Sequence, residues 1–483
     1  MRHPFTESPK RKSGCKGMRI HGGTTAFLAA LAVLALFVPS SSGKARLDRG
    51  FGEGGVVSIT SKPPHANFTG GARALAETGA GDLLVLGNES SNYPADLLIA
   101  RLNPGGRLDR DFANQGIRYT RGLPSWHPTK TELLGMGTDL AVGKRGGIFT
   151  AGYGGISGGC VVASGFFPNG ALKIGFGDRG RSEPCLRVPY PSKGCQGCTT
   201  IHRADASSIS LDGKGRVVIG GQSYRGYRSR ALVMRLTRRG RLDPTFSGNR
   251  GNSSGLKGAV EVRPRTINKE GDKSFYESEL AEARPLRHQK VLAVGSIDRH
   301  FAMYRFRANG VPDRSFHGDG ILTLNLDKVP DPENQCGCSY ATGVDFDRKG
   351  RVLVAGYIRP LYNYNRPQPV VLRFLKSGRL DRSFGRKGMA KPRLPKRMTT
   401  TRIAIQDDGK IVVGGRYDQR FGLFRLNPGG ALDRSFFRRG LFAPEDSGLG
   451  AMATDLLIDR RGRIVATGGG HTEGMALVRI RPG

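Results

Sequence analysis

One line of sequence, written seven times, constrains this chain more than any other feature. "RLNPGGRLDRDFANQG" runs from Arg101 to Gly116, "RFLKSGRLDRSFGRKG" from Arg373 to Gly388, and "RLNPGGALDRSFFRRG" from Arg425 to Gly440. A phenylalanine marks each copy, at Phe51, Phe112, Phe176, Phe246, Phe316, Phe384 and Phe436. A glycine follows each marker four or five positions on, at Gly55, Gly116, Gly180, Gly251, Gly320, Gly388 and Gly440. Self-similarity at a period of roughly 50–70 residues means one supersecondary unit stacked on its own copies. A chain of 483 residues is too long for one ordinary core, and a repeat array accounts for the length.

Inside each unit the same order returns. A short strand follows the marker glycine, as in "GVVSIT". A second strand leads into a tight turn and a β-branched third strand, as in "LDGKGRVVIGG", "FDRKGRVLVAG", "QDDGKIVVGG" and "IDRRGRIVATGG". A last strand closes the unit: "LLIARLN", "ALVMRLT", "FAMYRFR", "VVLRFLK", "FGLFRLN", "MALVRIR". The alternation has period two and no helical period intrudes. The 72 glycines, about twice the usual ~7% share, serve turns between short strands, because they lack the triplet period of collagen. The pattern predicts an all-β fold, a seven-bladed β-propeller of about four antiparallel strands per blade. It spans residues 46–483, with units starting near 47, 108, 172, 242, 311, 380 and 432. Leu-Asp-x-x-Phe-Gly-x-x-Gly, then "DGKIVVGG", then Phe-x-Leu-x-Arg-Leu-Asn resembles the delta-60 repeat of exported bacterial proteins, over nearly everything after Arg46. That resemblance implies a propeller-like repeat domain and supplies no catalytic residues.

Arginine stands eight residues before the marker aspartate in five units, four with Leu-Asp and one with Pro312-Asp313: Arg101 and Asp109, Arg235 and Asp243, Arg305 and Asp313, Arg373 and Asp381, Arg425 and Asp433. The unit at Phe176 has Gly165 and Lys173 at these places, so both partners are lost together. A direct pair predicts this, because a buried charge without its partner costs more than losing both. Drift in a degenerate unit is the competing explanation. Asp48 has no arginine before it in the folded part, and Arg479 has no Leu-Asp after it. In a closed ring these two complete the set, and closure removes the exposed sheet edges of an open array. The marker leucine and phenylalanine are expected to fill the core between blades.

The net charge is +36, and residues 1–45 hold seven Lys/Arg and one Glu of it, so the excess runs through the folded body. Such a field attracts anions and weakens with salt. Anionic polysaccharide, wall polymer, a protein partner, lipid headgroups and, unspecifically, nucleic acid all fit, as does an arginine-rich composition with no particular anion. The N-terminus has the form of an export signal: basic residues precede an apolar run from Ala26 to Val38, then small residues lead to a cut near Ala45. Met18 would make a more typical start than Met1, and an uncleaved anchor is the alternative. The run is short of the ~20 residues of a membrane span, and every later apolar run is a short strand. The expected location is therefore secreted or cell-envelope associated, as a monomer.

Cys15 lies in the presumed signal. The other six cysteines, Cys160, Cys185, Cys195, Cys198, Cys336 and Cys338, are disulfide candidates in an exported chain. "CQGC" and "CGC" leave a zinc site as the alternative.

In an up-and-down blade alternate connections share a face. Here the "DGK", "NPGG" and "KSGR" connections are tight, and length variation falls on the opposite face. That long-loop face is the expected working face. Its candidate binding residues are Trp126, His127, Tyr224, Arg225, Tyr227, Arg228, Tyr362, Tyr364 and Arg366, with Arg359 beside them. Flat rings stack on sugars or bases, and arginine forks meet carboxylate, sulfate or phosphate. Ordinary loop composition is the alternative. No nucleophile elbow, metal-spaced histidine pair, calcium loop or cofactor motif is present, so no catalytic residue, metal or cofactor is assigned. Asp139, Asp205, Asp345 and Asp455 fall near the second strands and are placed to face a central channel. Three functions remain open: a binding propeller for an acidic polymer or protein partner, a hydrolase, lyase or oxidoreductase at the channel mouth, and a passive envelope component.

Overall fold

The computed structural model describes residues 44–59, 71–89, 96–120, 136–154, 159–189, 199–225, 228–248, 256–262, 277–326, 338–360, 365–445, 448–469 and 474–483. The expected export signal lies almost wholly outside them. Residues Ser42–Gly483 form one compact unit. Within it the chain is a seven-bladed β-propeller of four-stranded antiparallel sheets. Blades 1 to 7 begin, at the channel, with the strands Ala72–Glu77, Met136–Val142, Ala204–Leu211, Ser278–Pro285, Cys338–Phe346, Met398–Ile405 and Met452–Ile458. The radial order is sequential, so the second strand of each sequence repeat is innermost and the strand after the marker glycine is the outer strand of the preceding blade. One hairpin stands outside the blades: Leu186–Pro189 pairs with Thr199–His202 in the connection between blades 2 and 3. A disulfide between Cys160 and Cys185 ties the base of that connection to blade 2. Cys338 is buried at the start of blade 5, while Cys195, Cys198 and Cys336 lie outside the described residues.

The ring is closed by the N-terminal segment. Val56–Ile59 forms the outer strand of blade 7, with Val56 opposite Val478 and Ile59 opposite Met475, and Arg46–Leu47 continues on the same partner strand. Seven apolar clusters fill seven interfaces, one of which joins Val465, Met475 and Leu477 of blade 7 to Leu75, Val85 and Leu98 of blade 1. Each interface holds one marker phenylalanine, at 2% exposure or less. The marker leucines are less deeply placed, and Leu108 is 36% exposed. Leu47, Leu172, Leu242, Leu380 and Leu432 lie against the edge of the core, and all six marker leucines, with Pro312 at the equivalent place, cap the marker glycine. That glycine has φ between +91° and +106° in the described blades, where a Cβ would press on the leucine at its back. In blade 3 the position is filled by Gly258, after an insertion, while Gly251 lies outside the described residues.

The arginine, aspartate and phenylalanine of the repeat meet at one point. Arg Nε to Asp Oδ2 is 2.7 Å for Arg235 and Asp243, 2.9 Å for Arg305 and Asp313, 2.8 Å for Arg373 and Asp381, and 2.8 Å for Arg425 and Asp433. Arg101 and Asp109 are joined in the same way. Across the closure, Arg479 Nε lies 2.9 Å from Asp48 Oδ2. Each guanidinium lies over its marker ring, 4.1 Å to 5.0 Å from the centroid. Its Nη1 then donates to a turn carbonyl of the next blade: Arg101 to Pro168, Arg235 to Ala308, Arg305 to Lys376, Arg373 to Pro428, Arg425 to Pro482 and Arg479 to Pro104. One side chain thus satisfies a carboxylate, covers a ring and ties two blades.

Blade 2 shows what replaces the motif. A Cβ on Gly165 would lie 2.9 Å from the Phe176 ring, so that ring has settled into the space an arginine would need. Phe149 stands where the other blades carry leucine or valine, and its ring lies 5.5 Å from that of Phe176. The lost ion pair is replaced by apolar volume.

Burial raises the Asp48 pKa, but Arg479 and Arg481 outweigh it and hold the carboxyl below its usual range. Asp48→Asn leaves buried guanidinium charge uncompensated and is expected to lose roughly 3–5 kcal/mol in denaturant unfolding. Asp48→Leu combined with Arg479→Met is expected to lose clearly less than Asp48→Asn alone. Equal losses would show that the pair is not one interaction.

Candidate functional site

The sequence places candidate residues at the channel and on the long-loop face. In the channel every inner strand carries one β-bulge. The residue after it is Ala74, Asp139, Ser208, Glu282, Gly343, Arg402 or Asp455. Inner strands have one edge unpaired by their own sheet, so their N–H groups need acceptors. These side chains supply them across the blade boundary. Asp455 Oδ2 accepts from Leu75 N at 2.8 Å, Asp139 Oδ2 from Ile209 N at 2.8 Å, Ser208 Oγ from Ala283 N at 3.0 Å and Glu282 Oε2 from Val344 N at 2.8 Å. Asp345, two positions further along, accepts from Ile405 N at 2.9 Å. Threonines inside the bulge add to the ring: Thr138 donates to Ala206 O at 2.8 Å, Thr401 to Ala453 O at 2.7 Å and Thr454 to Ala72 O at 2.8 Å.

The four aspartates assigned to the channel therefore occupy three different places. Asp139 and Asp455 are equivalent and Asp345 lies deeper. Asp205 precedes the bulge, at the rim, and binds Arg203 at 3.2 Å. Arg402 Nε lies 3.3 Å from Asp455, and Arg284 Nε binds Glu282 while 46% of its side chain faces the lumen. Burial raises the Asp139 pKa to about 7, Arg402 opposes the rise, and the like charges of Asp455 and Glu282 add to it. Both Asp139 oxygens accept backbone N–H groups, from Leu140 and Ile209. The group works first as an interblade tie.

At the loop rim, Tyr224 is half-buried and the Arg203 guanidinium lies 5.2 Å from its ring and 5.9 Å from that of Tyr153. In blade 5, Tyr340 and Tyr357 have centroids 5.1 Å apart and Arg359 lies 5.7 Å from the Tyr357 ring. These cation–aromatic groups serve one another and pin the strand ends. Arg225 and Arg228 face each other in the closing pair of their hairpin. Trp126, His127, Tyr227, Tyr362 and Tyr364 lie outside the described residues.

Arg366 belongs to a different feature. A groove of about 1770 Å³ runs down the outer side of blade 5, from the long-loop rim at Asn365–Pro369 to the turns at Gly385–Lys387 and Gly429–Ala431. Among the described residues seven cations line it, Arg366, Arg386, Lys387, Lys391, Arg393, Lys396 and Arg397, against one acid, Asp418. All seven are exposed. Asp418 binds Lys396 at 2.6 Å and Arg397 at 3.3 Å, and the hydrogen bond from Lys396 leads in lowering its pKa. Arg366, Arg386, Lys387 and Arg393 have no carboxylate within ion-pair distance among the described residues.

The sequence explains the groove. The outer strand of blade 5 is only Met389–Ala390, opposite Leu372 and Val371. Pro392 and Pro395 then remove two N–H donors, so the chain cannot continue the ladder and Gln368–Val370 keeps an open edge. Burial alternates along the segment that leaves: Lys391 and Arg393 point out, Pro392 and Leu394 in, and Leu394 packs on the core between blades 5 and 6. In the sequence the signal is the "KPRLPKR" run, in which two prolines stand among four cations.

A family model described as a domain of unknown function (DUF5122) beta-propeller matches residues 215–246 and 406–436. Both matches run from an inner turn to the marker phenylalanine, in blades 3 and 6. No curated protein matches the chain. Among solved structures, a catalytically inactive virginiamycin B lyase from Staphylococcus aureus with quinupristin is similar at 10% identity, covering 88% of this chain and 98% of that one, with a TM-score of 0.44. Polysaccharide lyase Uly1 is similar at 10% identity, covering 91% and 98%, with a TM-score of 0.43. The Dos1 propeller is similar at 8% identity, covering 87% and 94%, with a TM-score of 0.43. At these levels the likenesses carry no information about chemistry at corresponding positions.

A carboxyl whose folded pKa lies above its unfolded value, ~3.9, contributes stability below that value and loses it as pH rises through the folded pKa. Asp139 sets that window between about 4 and about 7. Asp139→Asn is therefore expected to gain on the wild type, by on the order of 1–3 kcal/mol, as unfolding is measured from pH 5 to pH 8. A stability difference that stays flat across this range would show that Asp139 ionises as an ordinary carboxylate.

Proposed function

We propose that the chain is an exported binding propeller that engages an acidic polymer through the groove along blade 5 and the adjoining long-loop rim. One observation carries this reading: among the described residues, seven exposed cations share one groove with a single acid, and four of them have no carboxylate partner there. Like charges held together on a rigid wall raise the local potential and favour an anionic ligand over isolated surface lysines. The resemblance of the repeat to exported bacterial arrays and the form of the N-terminus support export. Channel-mouth catalysis has less support, because Asp139, Asp345 and Asp455 each hold two backbone N–H groups.

The test is retention of the folded domain on a polyanionic resin. The wild type is expected to elute with rising salt. Arg366→Gln combined with Arg393→Gln, both at exposed positions, is expected to weaken binding by roughly 2- to 30-fold at 0.1 M salt without changing Tm. Retention that ignores salt, or that the double substitution leaves unaltered, would remove the groove as the binding site.

A further inference from the structure

We propose, resting on that reading of the groove, that its ligand is an acidic polysaccharide bearing carboxylate or sulfate groups rather than a nucleic acid. Three features of the wall point there. First, among the described residues no aromatic side chain lines the groove. Proteins that hold single-stranded nucleic acid in a basic groove stack bases on aromatic rings, and the described wall offers a nucleobase none. Second, the floor is aliphatic. Leu324, Leu326 and Met389 are half-buried and pack on the core of the blade 4 and 5 interface, leaving methyl and methylene groups at the surface. Such a floor accepts the C–H face of a sugar ring by apolar burial, which a bare inorganic polyphosphate chain has no surface to match.

Third, the cations are spaced for a chain of charges. The burial alternation from Lys391 to Pro395 marks an extended segment. At ~3.3 Å per residue, Lys391 and Arg393 project from one side about 6.6 Å apart. Arg366 rises from the start of the third strand, and Arg386 lies at the far end. A linear polymer with a charged group on successive units meets these in turn, and a compact anion meets one or two. Arginine supplies the planar fork that a carboxylate or sulfate accepts bidentately.

The experiment is a binding panel on the full folded domain at 0.1 M and 0.3 M salt. The probes are polygalacturonate, dextran sulfate, polyphosphate, single-stranded oligothymidylate of matched charge, and neutral dextran. The expected result is that a carboxylated or sulfated glycan binds about tenfold tighter than the oligonucleotide, the scale of one base-stacking contact forgone. Arg393→Lys keeps the charge and removes the fork, and is expected to narrow that preference several-fold. Equal affinity for oligonucleotide or polyphosphate would overturn the polysaccharide assignment and leave the groove as a charge-reading site. Glycan binding unaffected by Arg393→Lys and by the Arg366→Gln, Arg393→Gln pair would overturn the assignment to this groove. No salt-sensitive binding to any polyanion would overturn the proposed function itself.

Discussion

The fold depends on a guanidinium buried between neighbouring blades. Arg425 is fully buried, and it is held on one side by Asp433, beneath by Phe436 and ahead by the Pro482 carbonyl of the next blade. A buried ion pair alone is weak evidence of stability, since desolvation opposes the attraction. Its value here is geometric. A planar fork that must satisfy three partners admits one relative placement of two sheets, and repetition of that placement turns a stack of sheets into a ring. Closure follows when Arg479 finds Asp48, from the opposite end of the chain.

The tie is reinforced from the inner turns. Arg216, Arg351 and Arg463 each bridge a turn aspartate, Asp212, Asp347 or Asp459, to the aspartate of Leu-Asp at 3.0 Å to 3.1 Å. In blade 4, whose turn has no aspartate, Lys290 binds Asp313 directly at 2.8 Å. A second ring of ties runs around the channel through the bulge residues. With the tight-turn face and the channel both committed to holding blades together, variation is left to the long-loop face and the outer wall. The extra hairpin with its disulfide and the proline-broken edge of blade 5 are both of this kind.

The repeat, the blade number, the strand count and the pairing of sheets were legible because they are periodic: a residue type recurring at fixed offsets reports a constraint felt in every unit. The eight-residue offset from arginine to aspartate was readable for the same reason, and its joint loss at Gly165 and Lys173 was informative because the absence was also paired. Radial order was not legible, since the sequence does not say which strand of a unit faces the axis. Nor was the compensating role of Phe149, which looks like one more strand residue until its neighbour is known. The aspartates near the channel were visible as residues of the inner strands, but their places relative to the bulge were not, because a bulge shifts the register by one and only the ladder shows where. Tyr224 was legible as a rim aromatic, but its neighbour Arg203, just before the inner strand, was not. The groove was not legible, because its signal is two prolines ending a strand, a backbone effect that leaves cations standing over an open edge.

Amide hydrogen exchange across the closure tests the ring most directly. Val56–Ile59 supplies the outer strand of blade 7, so its ladder amides share the cooperative unit of Met475–Arg481. The account requires the two strands to exchange slowly and together. Rapid exchange of Val56–Ile59, at the rate of a frayed terminus while Met475–Arg481 stays protected, would contradict a ring sealed by its first strand.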